Sequence, residues 1–358
     1  MSIKVVINGM GVLGRKLFRE LWSKNDWIVV ALNDPIYSNR MDLLAYLLQY
    51  DTVYGNWSPS QTWTNIGYDN NANTMLIEGR TIPVFTETDY ANLTDLSAYL
   101  ADDSVVFDCT GRTTPEQAGG FIPNGAQKVI IMSESNVGSD VPTVVYSINR
   151  SQATADNNTI YVPSGALIAN SVMGYVVENV AQYGVRSAYF TDVCSYTNSN
   201  SPQDLVTASS LNQPNFPYSY QMGRAGAWNL IRSPKNLTRT MGYIIPELNG
   251  KCDGVEIRGG TIRGSVSYGV FCTDTWDNTT FDTKFREFAD GTTVKVSDEK
   301  KLMTSSDVIG SPYVWYTCDQ MGLYSGHDYL ATISVIYDPI MVQITNAIET
   351  AKYWINLQ

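Results

Sequence analysis

The sequence predicts an α/β fold in two parts: a parallel sheet flanked by helices, then an α+β unit with an antiparallel sheet. Three observations lead there. Residues 3–15, IKVVINGMGVLGR, read as a buried β-branched strand, a glycine turn and the start of a helix. Strand and helix patterns then alternate as far as residue 162, which implies a parallel sheet with helices on both faces. Beyond a helix over residues 164–183 the pattern changes, and residues 254–272 alternate as antiparallel strands do.

The opening turn carries the first chemistry. Gly9, Gly11 and Gly14 stand in G-x-G-x-x-G spacing, directly after a strand and directly before the apolar helical spacing of Leu17, Phe18, Leu21 and Trp22. Glycine there allows a tight turn and lets a pyrophosphate approach the amides of a helix N-terminus, where the dipole favours negative charge. Asn8 precedes the turn. The second strand, residues 27–32, runs into Asn33 and Asp34, and an acid about twenty residues after the glycines is where an adenosine ribose is held. These features predict a dinucleotide-binding first half.

The rest of that half follows in order. Residues 41–50 have helical spacing, and the polar, Asn-rich run 51–73 reads as loop. Residues 74–85 form a hairpin about Gly79, 93–100 a short helix, and 104–109 a strand ending at Thr110-Gly111. Residues 128–132, 144–148 and 159–162 continue as strands. In the second half, residues 188–196 are a strand. The polar segment 197–224, with three prolines, is too long for an ordinary connection and so is functional or interfacial. A helix near Gly226, another over 282–290, a strand over 329–337 and a terminal helix over 340–354 complete the chain.

Composition narrows the function. At 358 residues the chain is long enough for two domains. Lysine and arginine total 24 against 35 acidic residues, a net charge of −11, with no basic run, which argues against a nucleic-acid partner. No apolar run is long enough to span a bilayer and no signal pattern opens the chain, so a cytoplasmic, membrane-free protein is expected. The five cysteines show no metal spacing, so free thiols and no metal site are expected. There is a single histidine, His327, although histidine is the commonest general base near neutral pH.

Several of these motifs together resemble the glyceraldehyde-3-phosphate dehydrogenase family over nearly the whole chain: INGMGVLGR, ALNDP, LLAYLLQYDTVYG, FDCTGRTTPEQAGGFIPNGAQKVII, MGYIIPELNGK at residues 241–251 and SSDVIG at 305–310. The resemblance implies a Rossmann domain over 1–163, a catalytic-type domain over 164–337 with an extended S-loop at 197–224, and a C-terminal helix, 338–358, returning to the first domain. It implies NAD on Asn8, Gly9, Gly11, Gly14, Asp34, Thr110 and Gly111, and a homotetramer or a larger assembly of this chain with itself, the S-loop contributing to the interface.

The chemistry departs from that pattern. Members attack an aldehyde with a cysteine thiolate in a Ser-Cys-Thr-Thr-Asn-Cys run, pass a hydride to the nicotinamide and release the thioester with phosphate. The corresponding run here, residues 166–171, is registered by Asn170 and by Tyr183-Gly184-Val185, and it puts Leu167 at the nucleophile. Cys194, in TDVCSYT, takes the place of the basic histidine, while His327 resembles a non-catalytic one. Pro339 replaces the asparagine that holds the nicotinamide amide, and Val12 an arginine of the opening loop. Thr197, Arg224 and Arg258 match anion-binding positions, but the phosphate turn reads Pro234-Lys235-Asn236. The expectation is an inactive homologue with a structural or nucleotide-binding role, NAD binding weakly or not at all. The alternative is an altered aldehyde dehydrogenase that uses Cys194 as its thiol.

Overall fold

A computed structural model describes residues 2–60, 64–93, 96, 98–100, 104–133, 140–197, 200–204, 221, 223–235, 237–297, 303–317, 321–325 and 328–357. The chain divides into two compact units: 1–146 with 150–164 and 346–358, and 147–149 with 165–345.

The first unit is a sheet ordered β3-β4-β5-β2-β1-β6-β7-β8. Its centre is β1 (Ile3–Asn8), β2 (Trp27–Asn33) and β6 (Ser104–Asp108), paired in parallel. β7 (Lys128–Ile131) and β8 (Thr159–Tyr161) extend it in parallel on one side, and β5 (Arg80–Phe85) on the other. These central strands are buried on both faces, which is why their sequences are continuous apolar runs rather than alternations. The expected hairpin is β4 (Thr74–Ile77) with β5, turned through Glu78 and Gly79, both at positive φ as a two-residue hairpin turn requires. β3 (Gly67–Asp69) lies within the run read as loop; its three residues are too few to show a period. Helix α1 (Val12–Trp22) follows β1 and α2 (Met41–Gln49) follows β2. The helix expected over 93–100 falls partly outside the described residues.

One expected strand is absent. Residues 144–148 form no strand; only the preceding Thr143 bridges to the sheet, at Tyr161, and the chain turns into helix α4 (Tyr146–Asn149), the one-turn α3 (Pro115–Ala118) having come earlier. The Tyr146 amide donates to Asn346 Oδ1 at 3.1 Å, a partner 200 residues away that no local pattern reveals. Asn346 lies on the terminal helix α8 (Pro339–Ile355), whose later part belongs to this unit. There Trp354 is fully buried, its indole N–H donates to Thr154 O at 2.7 Å, and the Lys128 ammonium lies 4.6 Å from its ring centre.

The second unit is a mostly antiparallel sheet ordered β10-β11-β9-β12-β16-β14-β13, with β15 (Met321–Ser325) paired to β16 (Asp328–Tyr337). β11 (Cys252–Gly259) and β12 (Ser265–Thr273) are not neighbours: β9 (Val185–Ser195) lies between them, parallel to β11 and antiparallel to β12. The link that carries the chain past β9 uses close backbone approaches, for a Cβ at Gly260 would meet Ala227 O at 2.6 Å and one at Gly264 would meet Ser305 O at 1.6 Å. The helix expected near Gly226 is a turn; strand β10 (Ile231–Lys235) and helix α6 (Leu237–Ile244) follow it. Helix α5 (Gly165–Tyr175) packs on the sheet and continues as a wider turn over 176–180, and α7 (Asn278–Ala289) brings Phe281 and Phe285 against Tyr316 of β14 (Val314–Tyr316). Short β13 (Val294–Val296) and β14 went unread in the sequence because three residues carry no recognisable alternation. Most of 197–224, with His327, Asn236 and Cys318, lies outside the described residues.

Candidate functional site

In the first unit the glycine turn is held from below by a polar lattice. Asn8 is buried; its amide donates to Asp108 Oδ2 at 2.5 Å, and its carbonyl accepts from Asn33 Nδ2 at 2.7 Å. Asp108 also accepts from the hydroxyls of Thr110 and Thr113, each at 2.7 Å. Burial pushes its carboxyl up, and these donors pull it down. The Asn8 side chain therefore braces the turn from the interior. Gly9 sits at φ +89° with its amide on Asn33 O. A Cβ at Gly9 would meet the Thr110 amide at 2.9 Å, and one at Gly14 would meet Gly9 O at 1.9 Å, so two of the three glycines are demanded by packing. Gly11 differs, since a Cβ there would meet nothing within 4 Å. Gly11 is also the N-cap of α1 and brings no capping side chain, which leaves the first amides of the helix open to an anion.

Asp34 is 7 % exposed, and each of its oxygens takes an amide, Met10 N at 2.8 Å and Ile36 N at 3.0 Å. A carboxylate has about four acceptor sites, so it can still receive a hydroxyl. Gly111 is at φ +66° with open space beside it. The structure thus brings Asn8, Gly9, Gly14, Asp34 and Thr110 into one turn. The open first amides of α1 and the Asp34 carboxylate are the groups there whose chemistry fits a pyrophosphate and a ribose hydroxyl, while Asn8 and Thr110 are engaged in the lattice beneath.

In the second unit Leu167 lies in the first turn of α5, 1 % exposed. Pro339, the first residue of α8, is close by in the chain's packing: a Cβ on Gly165 would meet Pro339 O at 2.2 Å. Asp338 caps that helix, accepting from the amides of Ile340 and Met341 at 3.0 and 3.2 Å and from Gly310 at 2.9 Å. Pro339 therefore sits where its missing N–H costs nothing. Cys194 is half-buried on β9, in register with Arg258 of β11. Arg258 donates to Thr197 Oγ1 and Glu256 Oε1, both at 2.5 Å. Arg224 pairs with Asp204 at 3.1 Å.

One group at this centre was not foreseen. Asp192 is fully buried on β9 and accepts from Asn170 Nδ2 at 3.1 Å, from Ser267 Oγ and from Tyr337 Oη at 3.4 Å. Burial, and then the Asp192 charge, push the Tyr337 hydroxyl well above its usual range, so it stays protonated and donating. The signal was present in the strand's period: Ala188, Phe190 and Asp192 share the inward phase, and a charge in a core phase is a hydrogen-bonded group or an error.

Residues 3–116 match the family described as Glyceraldehyde 3-phosphate dehydrogenase, NAD binding domain. Glyceraldehyde-3-phosphate dehydrogenase B of Aspergillus oryzae is 32 % identical over 270 residues, covering 74 % of this chain and 72 % of that protein. The chain belongs to the glyceraldehyde-3-phosphate dehydrogenase family. Relatives from Cochliobolus lunatus, 30 % identical over 269 residues, and Lactobacillus delbrueckii subsp. bulgaricus, 28 % identical over 261, carry the same enzyme name. The match to the NAD-binding domain covers residues of the first unit alone, while Leu167 and Cys194 belong to the other unit. Among the described residues no group of three metal-ligating side chains occurs, and no helix is long and apolar enough to cross a membrane.

Proposed function

We propose that this chain is a catalytically inactive homologue of glyceraldehyde-3-phosphate dehydrogenase, kept for nucleotide binding or for assembly with itself in the cytoplasm. The observation that carries the reading is Leu167: an apolar, buried side chain in the first turn of α5, at the position that the family resemblance gives to the nucleophile. Leucine forms no thioester. Catalytic groups act as a set, and loss of one member costs on the order of a millionfold in rate. The decisive experiment is an assay with glyceraldehyde 3-phosphate, NAD and phosphate. The expected result is no turnover above background; steady turnover would refute the proposal.

NAD is the natural ligand for the first unit, and its contribution there would be binding energy rather than hydride chemistry. The open amides at Gly11 and the Asp34 carboxylate support the adenosine half. Val12 and Pro339 each remove a polar contact that the resemblance would supply, and a lost hydrogen bond is worth about 0.5–1.5 kcal/mol. Weak, adenine-led binding follows, with ADP-ribose and NAD nearly equal in a calorimetric titration. NAD binding much more tightly than ADP-ribose would show an intact nicotinamide site.

A second reading has one observation in its favour. The strand register sets Cys194 beside Arg258, and a neighbouring cation favours a thiolate. An altered aldehyde dehydrogenase could use that thiol. Turnover abolished by Cys194→Ser would support it.

A further inference from the structure

Resting on the reading of an inactive homologue, the geometry points to a self-occupied anion site: we propose that Glu256 is the built-in ligand of Arg258 and keeps free phosphate away from the Thr197–Arg258 position. Three features carry this. Glu256 and Arg258 are two residues apart on β11, so their side chains leave the same face of the strand. Their Nε to Oε1 distance is 2.5 Å, with the side chains only 20 % and 17 % exposed. The same guanidinium reaches Thr197 Oγ1 through Nη1, also at 2.5 Å. A carboxylate thus occupies the Nε edge of the guanidinium, and Thr197 meets its Nη1.

A charge-assisted pair of this kind is geometrically specific, and a second anion arriving at the same guanidinium meets a like charge at a part-buried site. Arg224 repeats the arrangement with Asp204 at 3.1 Å, although both of those side chains are more than half exposed and that pair is correspondingly weak. Of the arginines matched to anion-binding positions, each carries a carboxylate from its own chain. The neutralisation also bears on Cys194, whose register partner Arg258 spends its charge on Glu256.

Removing only the charge is the informative change. Glu256→Gln keeps the shape and leaves a part-buried guanidinium without the Glu256 carboxylate, a change that favours uptake of an anion from solution. Inorganic phosphate is titrated calorimetrically, at ionic strength matched with potassium chloride, into the wild-type chain, Glu256→Gln and the double variant Glu256→Gln/Arg258→Gln. The expected result is at least about tenfold tighter phosphate binding by Glu256→Gln than by wild type, lost again in the double variant. Equal binding by wild type and Glu256→Gln, or none by a Glu256→Gln chain with native circular dichroism, overturns the proposal. Should that variant not fold, wild type and Arg258→Gln are compared alone: negligible uptake by both is expected, and saturable uptake by wild type that Arg258→Gln loses overturns it. Turnover of glyceraldehyde 3-phosphate by the wild-type chain would refute the inactive reading by a separate readout.

Discussion

At the residue scale, burial decides what each group can do. Leu167 fills the first turn of α5 with hydrocarbon, and on β9 the buried Asp192 carboxylate is satisfied by Asn170, Ser267 and Tyr337. Such a lattice is rigid when complete and costly when one member is removed. The thiols of this chain follow the same logic of burial. Desolvation pushes Cys252 up to about 12 and Cys109 well above its usual range. At pH 8 about one Cys252 in ten thousand is then thiolate, and the thiolate is the reactive form. Iodoacetamide at pH 8 should therefore leave Cys109 and Cys252 unmodified in the folded chain and label both in urea, as read by peptide mass spectrometry. Rapid labelling of either in the native state would contradict the burial argument.

At the scale of elements, the turn between β1 and α1 is tightly constrained backbone. Helix α1 begins at Val12, where Gly11 caps it and the Arg15 amide bonds back to Gly11 O at 3.0 Å. Gly14 lies so close to Gly9 that a methyl group has nowhere to go. Gly14→Ala should cost about 1–3 kcal/mol or more, as overpacking does, and should weaken any nucleotide binding along with stability. Gly11→Ala meets open space and should cost less, up to about 1 kcal/mol for a poorer N-cap. Urea midpoints of the two variants measure the contrast, and equal midpoints would show that the turn can relax. The strands β11 and β12 teach a related point. Their alternation was legible, but the insertion of β9 between them was not, because pairing partners are chosen by packing across the sheet.

At the scale of the whole molecule, several buried groups tie stability to alkaline pH. Cys109, Cys252 and Tyr337 all have folded values raised above their unfolded ones, chiefly by burial. The folded chain then holds these protons more tightly than the unfolded chain. Stability is full below the unfolded values, 9.0 for cysteine and 10.0 for tyrosine, and is lost as pH rises beyond them. For Cys252 the window runs from pH 9.0 to about 12, and a rise of that size corresponds to about 4 kcal/mol at its alkaline end. Urea midpoints should hold steady to pH 9 and fall above it, with Cys252→Ala falling less steeply. A flat profile to pH 11 would reject this. Assembly belongs to the same scale: a homo-oligomer is expected from the resemblance, and partial deletion of the long 197–224 segment, followed by mass measurement, would test its part in the contact.

The local sequence by itself determined the first unit's centre and the family. Short-range rules govern both: apolar runs specify buried parallel strands, and glycine spacing specifies the turn. Tertiary structure alone decided the rest. The fate of residues 144–148 depended on Asn346, the role of Asn8 on Asp108, and the contact of Arg258 on Thr197, a partner 61 residues away. The physical reason is common to these cases. A buried polar or charged group must find its partner wherever the fold supplies one, and the distance along the chain to that partner carries no signal in the sequence near either residue.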